Sequence, residues 1–135
     1  MSQQERPPRW LAKKTILAVH YALLRDHGGA TGIRDHGLLE SALTRPQQIH
    51  HYEPGCTVFR LAAAYASALS GNHPFVDGNK RVALTAAAIL LEINGWELTA
   101  PEPEAVVAFT DLAGGKLTED ELAHWLEKNC SRVPG

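Results

Sequence analysis

The chain has 135 residues, of which 44% are hydrophobic and 21% charged, and its formal net charge is −2 at pH 7. These values are typical of one globular domain with its own core, which we assign to residues 1–135. The mild acidity, without a block of like charges, argues against a nucleic-acid partner, and the apolar runs are too short to cross a membrane. The two cysteines form no disulfide framework, so we expect a cytoplasmic protein.

The chain opens with a polar segment and one amphipathic helix. Residues 1–7 are expected to form a flexible tail, after which Pro8 can occupy the first turn of a helix. Apolar residues then recur at helical spacing as far as Gly28, where glycine is a usual helix stop. The sequence therefore predicts a first helix from about Pro8 to His27.

A short second helix and a polar loop are predicted next. The helix, His36–Thr44, can be capped by Asp35 and should be broken by Arg45-Pro46. The stretch Gln47–Gly55 is polar and has no helical period, so it is predicted to be a loop or a small β-hairpin. The pair His50-His51 within it is interpreted as solvated rather than as a metal site.

Four more helices are predicted in the second half of the chain. The one from Asn79 to Asn94 is apolar on nearly every side between Val82 and Leu91, so we expect it at the centre of the fold. The predicted fold class is all-α, a single compact bundle of about six helices around a buried central helix. The remaining segments are a helix at Thr57–Asn72, an extended piece at Trp96–Thr99, a helix that follows Pro101 and Pro103 and ends at Gly114, and a capped helix at Thr118–Lys128.

The candidate chemistry of the chain is concentrated in nine residues, His73–Arg81, at the start of the predicted central helix. Gly78 and Asn79 lie at its N-terminus, where backbone N–H groups have no intrahelical partner and can bind phosphate. Lys80 and Arg81 add two positive charges at the same place. The segment therefore predicts a site for a phosphate-containing ligand.

Two further side chains in this segment suit group transfer. Asp77 can hold one Mg²⁺, an ion that takes one or two carboxylates and completes its shell with water and phosphate oxygens. His73 lies where it could accept a proton from an incoming hydroxyl. Pro74 and Phe75 are interpreted as structural support of the loop. Asp77 could instead only cap the following helix, an alternative that the residues themselves leave open.

The nine residues HPFVDGNKR resemble the signature of the Fic/Doc family, HPFx(D/E)GNGR, in its Doc (death-on-curing toxin) form. That form has Lys in place of the second glycine, and Lys80 holds this position. The similarity extends over about residues 10–128, well beyond the motif. The other segments that are similar to the family are Gly28-Gly29 with Gly32 and Asp35, Leu39–Leu43, Arg45-Pro46-Gln47, Glu92–Gly95 and Leu117–Glu119.

The resemblance implies a Doc-type toxin of a toxin–antitoxin system. It implies a protein kinase that uses ATP and Mg²⁺ to transfer the γ-phosphate to a Ser or Thr hydroxyl of a target protein, expected to be elongation factor Tu. By the same resemblance, His73 is the general base, Asp77 holds Mg²⁺, and Gly78, Asn79, Lys80 and Arg81 bind the nucleotide phosphates. The family's flap, which docks the target protein beside the active site, corresponds to the predicted loop after the second helix.

Two other functions remain open on the same residues. Fic enzymes generally transfer AMP, so a protein AMP-transferase is the nearer alternative. Lys80 favours phosphate transfer, because its side chain fills the room that a glycine leaves for the backbone to wrap a phosphate. A non-catalytic, antitoxin-binding module is the more distant alternative, and the complete set of His73, Asp77 and Arg81 argues against it.

The resemblance also implies a neutralising antitoxin as a partner. Many Fic proteins carry an inhibitory motif of their own, (S/T)xxxE(G/N), and no Glu in this sequence is followed by Gly or Asn. Self-inhibition by that motif is therefore not expected. An active toxin that lacks it needs a separate inhibitor.

Overall fold

The computed structural model describes residues 7–134, which form six α-helices and one two-stranded antiparallel sheet. The predicted all-α class is confirmed, while the expected tail falls, except for residue 7, outside the described residues. None of the described helices has both the length and the apolar character needed to cross a membrane. The elements are α1 (Lys13–His27), α2 (His36–Tyr52), α3 (Val58–Asn72), α4 (Asn79–Ile93), β1 (Trp96–Leu98), α5 (Glu102–Ala113), α6 (Glu119–Lys128) and β2 (Cys130–Arg132).

Helix α3 forms the centre of the bundle and packs against α2, α4, α5 and α6. Ten of its fifteen residues are buried, and half of these ten are alanines, which let neighbouring helices approach closely on several sides. The sequence predicted α4 at the centre, but Leu84, Ala88 and Ile89 leave one side of that helix partly exposed. Helix α3, which contacts four other helices, therefore takes the central place.

Helix α2 continues through Pro46 to Tyr52, so the predicted break at this proline was wrong. A proline inside a helix removes a hydrogen bond and costs about 3 kcal/mol. The Pro46 ring is fully buried in the core, and this burial of apolar surface offsets part of the loss. The predicted loop Gln47–Gly55 is consequently helical as far as Tyr52. The last turn carries His50, which is half-buried, and His51, which is exposed, so the interpretation of the pair as solvated holds only for His51.

Helix α1 begins at Lys13 rather than near Pro8. Residues 7–12 are not helical, because the backbone of Arg9 is bonded elsewhere. The Arg9 N–H donates to Oδ1 of Asn94 at 2.8 Å, and the Arg9 carbonyl accepts from Nδ2 of the same side chain at 3.0 Å. Asn94 directly follows α4. This pair of hydrogen bonds therefore holds the segment before α1 against the end of α4.

A charged cluster joins three helices. Glu119, the first residue of α6, accepts two hydrogen bonds from Arg45 of α2, at 2.6 and 3.0 Å, and a third from Arg60 of α3. Burial alone would raise the pKa of the Glu119 carboxyl, but the hydrogen bonds from the two arginines outweigh it and hold the pKa below its ordinary value. The ionised carboxylate is thus a stabilising link between α2, α3 and α6.

We expect Glu119→Gln to lower the free energy of unfolding by about 1–3 kcal/mol at neutral pH, because two guanidinium groups lose their charged acceptor. The contribution of a carboxyl with a depressed folded pKa is present above its unfolded pKa, about 4.3, and is lost as the pH falls through the folded value. The difference in stability between parent and variant should therefore shrink in acid. Urea unfolding at neutral and acidic pH measures it.

Glu127→Gln is the matched control, because Glu127 is exposed on the same helix and forms no ion pair with another described residue. This control should change the free energy of unfolding by no more than about 0.5 kcal/mol. An equal loss in both variants, or a loss from Glu119→Gln that persists unchanged in acid, would contradict the role assigned to Glu119.

Candidate active site

The predicted site is a loop of six residues, 73–78, between the end of α3 and the start of α4. The loop lies antiparallel to the segment that precedes α2. The Arg34 N–H donates to the Pro74 carbonyl at 2.7 Å, and the Val76 N–H donates to the Gly32 carbonyl at 3.1 Å. Backbone hydrogen bonds from a distant part of the sequence therefore hold the loop in place.

The Asn79 side chain closes the loop onto α4. Its Oδ1 accepts from the Phe75 N–H and its Nδ2 donates to the Phe75 carbonyl, both at 3.0 Å. Asn79 and Phe75 are buried, with 9% and 1% of their surfaces exposed. Because both ends of the Asn79 side-chain amide are used in these bonds, its backbone N–H is the group left for the predicted phosphate contact. Pro74 is buried as well, consistent with the structural role predicted for Pro74 and Phe75.

A buried histidine of α1 supports the loop, and the sequence analysis did not single it out. The His20 ring stacks on Phe75, with 3.9 Å between the ring centroids and 16° between the planes. Its Nε2–H donates to the Asp77 carbonyl at 2.9 Å, because a carbonyl oxygen can only accept. The available signal was its spacing, since His20 shares the buried face of α1 with Ile16 and Leu24. A buried polar group on such a face needs a partner.

The Asp77 carboxylate is exposed and only partly occupied by contacts within the protein. Its Oδ1 accepts from the Gly78 N–H at 2.9 Å, and its Oδ2 lies 3.4 Å from the amide nitrogen of Ala30. A Cβ atom at Gly29 would lie 2.9 Å from Oδ2, so any other residue there would push the carboxylate out of this position. The two contacts orient the carboxylate and leave lone pairs available to a ligand.

This carboxylate fits a magnesium ion that arrives with phosphate groups. Mg²⁺ is commonly held by one or two carboxylates, with water and phosphate oxygens completing its octahedral shell. No group of three or more His, Cys, Asp or Glu side chains within residues 7–134 could hold a metal ion. Asp77 is therefore suited to a shared site with a nucleotide and not to a metal cage built from protein alone.

The first turn of α4 presents unpaired amides and two cations. Gly78 caps the helix in the left-handed conformation, with φ 82° and ψ 12°, which glycine adopts without strain. The N–H groups of Asn79, Lys80 and Arg81 have no hydrogen-bond acceptor among the described residues. The Lys80 and Arg81 side chains are exposed. Unpaired amides, the positive end of the helix dipole and two full charges together form a binding site for an anion.

His73 stands at the other end of the loop, directly after α3. Its backbone has φ 49° and ψ 55°, and no other non-glycine residue in the described chain has a positive φ. The imidazole is exposed and makes no hydrogen bond within residues 7–134, whereas the His73 carbonyl accepts a bond of 2.7 Å from Nε of Arg34. The backbone is therefore held while the ring stays open to an incoming hydroxyl.

Other candidate groups lie away from this loop. Burial raises the pKa of the Cys130 thiol to about 11 and also raises that of Cys56, so neither thiol is an activated nucleophile. One cleft of about 450 Å³ is lined mainly by residues of α5 and α6. A second, of about 1300 Å³, is lined by residues around the end of α4. Neither cleft includes residues 73–81.

The comparisons with known proteins point to one family. A family model described as the Fic/DOC family matches residues 10–91. The chain is 30% identical over 120 residues to the protein kinase doc of Escherichia phage P1, which corresponds to 89% of this chain and 94% of that protein. It is 43% identical over 74 residues to the toxin Doc of Mycolicibacterium smegmatis, or 54% of this chain and 57% of that protein. The loop and the first turn of α4 lie within the family match.

We expect Gly29→Ala to weaken Mg²⁺-dependent binding of ATP by about 10–100-fold, because the new Cβ displaces the Asp77 carboxylate. Gly28→Ala is the matched control. Both glycines have positive φ, so both variants carry backbone strain, but a Cβ at Gly28 meets nothing within 4 Å. Calorimetric titration of the two variants with ATP, with and without Mg²⁺, measures the difference. Equal losses in both variants would show that strain, and not Asp77, controls binding.

Proposed function

Because the chain belongs to the Fic/DOC family, we propose that it is a Doc-type toxin, a protein kinase that transfers the γ-phosphate of ATP to a Ser or Thr hydroxyl of a target protein. Two relatives, named as a protein kinase and as a toxin, support the proposal. The observation in this chain that carries it is Lys80, an exposed cation in the first turn of α4 beside unpaired amides. We propose elongation factor Tu as the target, so that the modification would block translation.

In the proposed reaction, the His73 imidazole accepts the proton of the target hydroxyl while the hydroxyl oxygen attacks the γ-phosphorus. The new oxygen–phosphorus bond forms as the bond from the γ-phosphorus to the β–γ bridging oxygen breaks. ADP leaves with that electron pair, and the proton on His73 passes to water. No enzyme side chain is phosphorylated, so the site needs a base and electrostatic positioning but no nucleophile.

The first turn of α4 would stabilise the charge on the phosphates. Its amides are fixed dipoles, and Lys80 and Arg81 can bind phosphate oxygens that gain negative charge in the transition state. Asp77 would hold Mg²⁺, which when bound neutralises and orients the phosphate groups. Asn79 contributes its backbone amide, while its side chain acts on the shape of the loop through Phe75.

Lys80 also favours phosphate transfer over AMP transfer. A glycine at this position would let a phosphate lie across the backbone, whereas the lysine side chain occupies this space and adds a charge. We infer that the nucleotide enters with its γ-phosphate towards His73. An AMP-transferase would use the same groups with the nucleotide reversed, and it is the outcome that the following experiment separates.

With purified elongation factor Tu as the target, label from γ-labelled ATP should reach the target and label from α-labelled ATP should not. His73→Ala should lower the rate of transfer by about 10²–10⁴-fold, the usual loss when a general base is removed. His124→Ala is the matched control, because His124 is exposed on α6, outside the site. Mass spectrometry of the target should find one added phosphate. An added AMP, or transfer by His73→Ala at the parent's rate, would overturn the proposal.

A lysate replaces elongation factor Tu in a second arm of the same experiment, so that another target is also detected. Lys80→Gly should produce some AMP transfer, because it clears the side chain and frees the backbone at this position. Lys80→Ala removes the charge but does not give the backbone the conformational freedom of glycine, so this variant should not transfer AMP. If Lys80→Gly still transfers only phosphate, Lys80 does not set the choice of group.

We propose that a neutralising antitoxin, encoded by a gene next to that of this chain, binds and inhibits it. The proposal is supported by a relative that is named a toxin. Expression of the chain alone in a bacterium should stop growth, and expression of His73→Ala at the same level should not. Co-expression of the product of the neighbouring gene should restore growth and should bind the chain in a pull-down. Normal growth with the active chain alone at high level would count against a toxin.

A further inference from the structure

Arg34 binds three successive carbonyl groups where α3 ends and the loop begins. Its Nη2 donates to the Asn72 carbonyl at 2.8 Å, its Nε donates to the His73 carbonyl at 2.7 Å, and its backbone N–H donates to the Pro74 carbonyl at 2.7 Å. The two guanidinium bonds are short and charge-assisted, which makes them stronger than bonds between neutral groups. One residue therefore holds the backbone on both sides of His73.

The backbone of His73 needs such support, because two intrinsic preferences oppose its conformation. A left-handed φ of 49° is unfavourable for a residue with a Cβ atom. Pro74 follows, and a residue before proline is normally driven to extended backbone. Residues in such conformations persist only where the surrounding structure holds them, and they are concentrated at functional sites.

The end of α3 also lacks the usual C-terminal cap that would give its last carbonyl groups hydrogen-bond donors. Helices commonly end at a glycine in the left-handed position, but here that position is His73. The last turn of α3 contains no basic residue that could complement the negative end of its dipole. The guanidinium of Arg34 supplies both the missing donors and the missing positive charge from outside the helix.

We propose that Arg34 is a positioning residue for His73: it holds the left-handed backbone that directs the imidazole towards the reacting hydroxyl. This inference rests on the proposed function, in which His73 is the general base. Arg34 uses its backbone N–H, Nε and Nη2 on the carbonyl groups of residues 72–74, and the unpaired amides of α4 lie at the other end of the loop. Loss of Arg34 should therefore misplace the base and leave nucleotide binding intact.

The positioning role is tested by measuring kcat and the KM for ATP of phosphate transfer to the target, in the parent and in Arg34 variants. Arg34→Ala should lower kcat by about 10–100-fold, the scale of a misplaced catalytic group, with the KM for ATP near the parent's value. Arg34→Lys should recover part of the rate, because an ammonium can reach one carbonyl but cannot bind two in a fork. Guanidinium ion, added to Arg34→Ala below denaturing concentrations, should also restore part of the rate. If Arg34→Ala does not fold, Arg34→Lys provides the same comparison.

Arg132→Ala is the matched control. Arg132 also contacts another element, since its guanidinium lies over the Trp96 ring at 4.8 Å, but it belongs to β2. Its loss should leave kcat unchanged. A double-mutant cycle gives the sharper test: in the His73→Ala background, Arg34→Ala should cause no further loss. A full kcat in Arg34→Ala, or a loss that adds to that of His73→Ala, would overturn the proposal.

A measurement without catalysis separates this proposal from the proposed function. The Cε1–H signal of His73 in NMR, assigned with His73→Ala, should shift or broaden in Arg34→Ala, while the signal of His124 stays in place. If the parent transfers no phosphate, the proposed function fails, and this signal alone decides whether Arg34 positions the ring. An unchanged His73 signal would rule out the positioning role.

Discussion

The pair of hydrogen bonds between the Asn79 side chain and the Phe75 backbone is the constraint on which the site depends. The buried Asn79 amide has only two described partners, the backbone N–H and the backbone carbonyl of Phe75, and the pair joins the loop to α4. With this pair in place, α4 starts directly after Gly78, so its unpaired amides are set at a defined position. The Phe75 ring in turn lies on His20, whose bond to the Asp77 carbonyl holds the second half of the loop. An unmade bond at a buried polar group costs about 1–3 kcal/mol, so the loop has few alternative conformations.

The fold could be predicted where its signals are local. Asp35 caps α2 by accepting from the Leu38 N–H, and Thr118 and Glu121 form the expected capping box, because each interaction spans only three residues of sequence. The continuation of α2 through Pro46 could not be predicted in this way. Its reason is the complete burial of the ring, and the energy of that burial depends on packing that no nearby residue reveals. The centre of the bundle was misplaced for a related reason, since the place of α3 depends on its contacts with four other helices, of which α5 and α6 are distant in sequence.

The candidate site shows the same difference between features that nearby residues indicate and features that depend on distant ones. The positions of His73, Asp77, Lys80 and Arg81 could be predicted because they lie within nine residues and directly before an apolar run. The supporting contacts could not, because His20 lies 57 residues before Asp77 and Arg34 lies 39 residues before His73. A residue type does not indicate a partner at such a separation. The motif thus contains the groups suited to chemistry, and the earlier third of the chain contains the groups that fix their geometry.

The left-handed backbone at His73 places the demands of folding and of chemistry in opposition. Such a conformation costs about 1–3 kcal/mol in a non-glycine residue, against a net stability of about 5–15 kcal/mol for a typical domain. Glycine adopts it with less strain than histidine, so a stable fold alone would not require an imidazole here. In the proposed function, the imidazole supplies the general base, and this role sets the need for histidine at the position. The residue is a local case of the general trade-off between stability and activity.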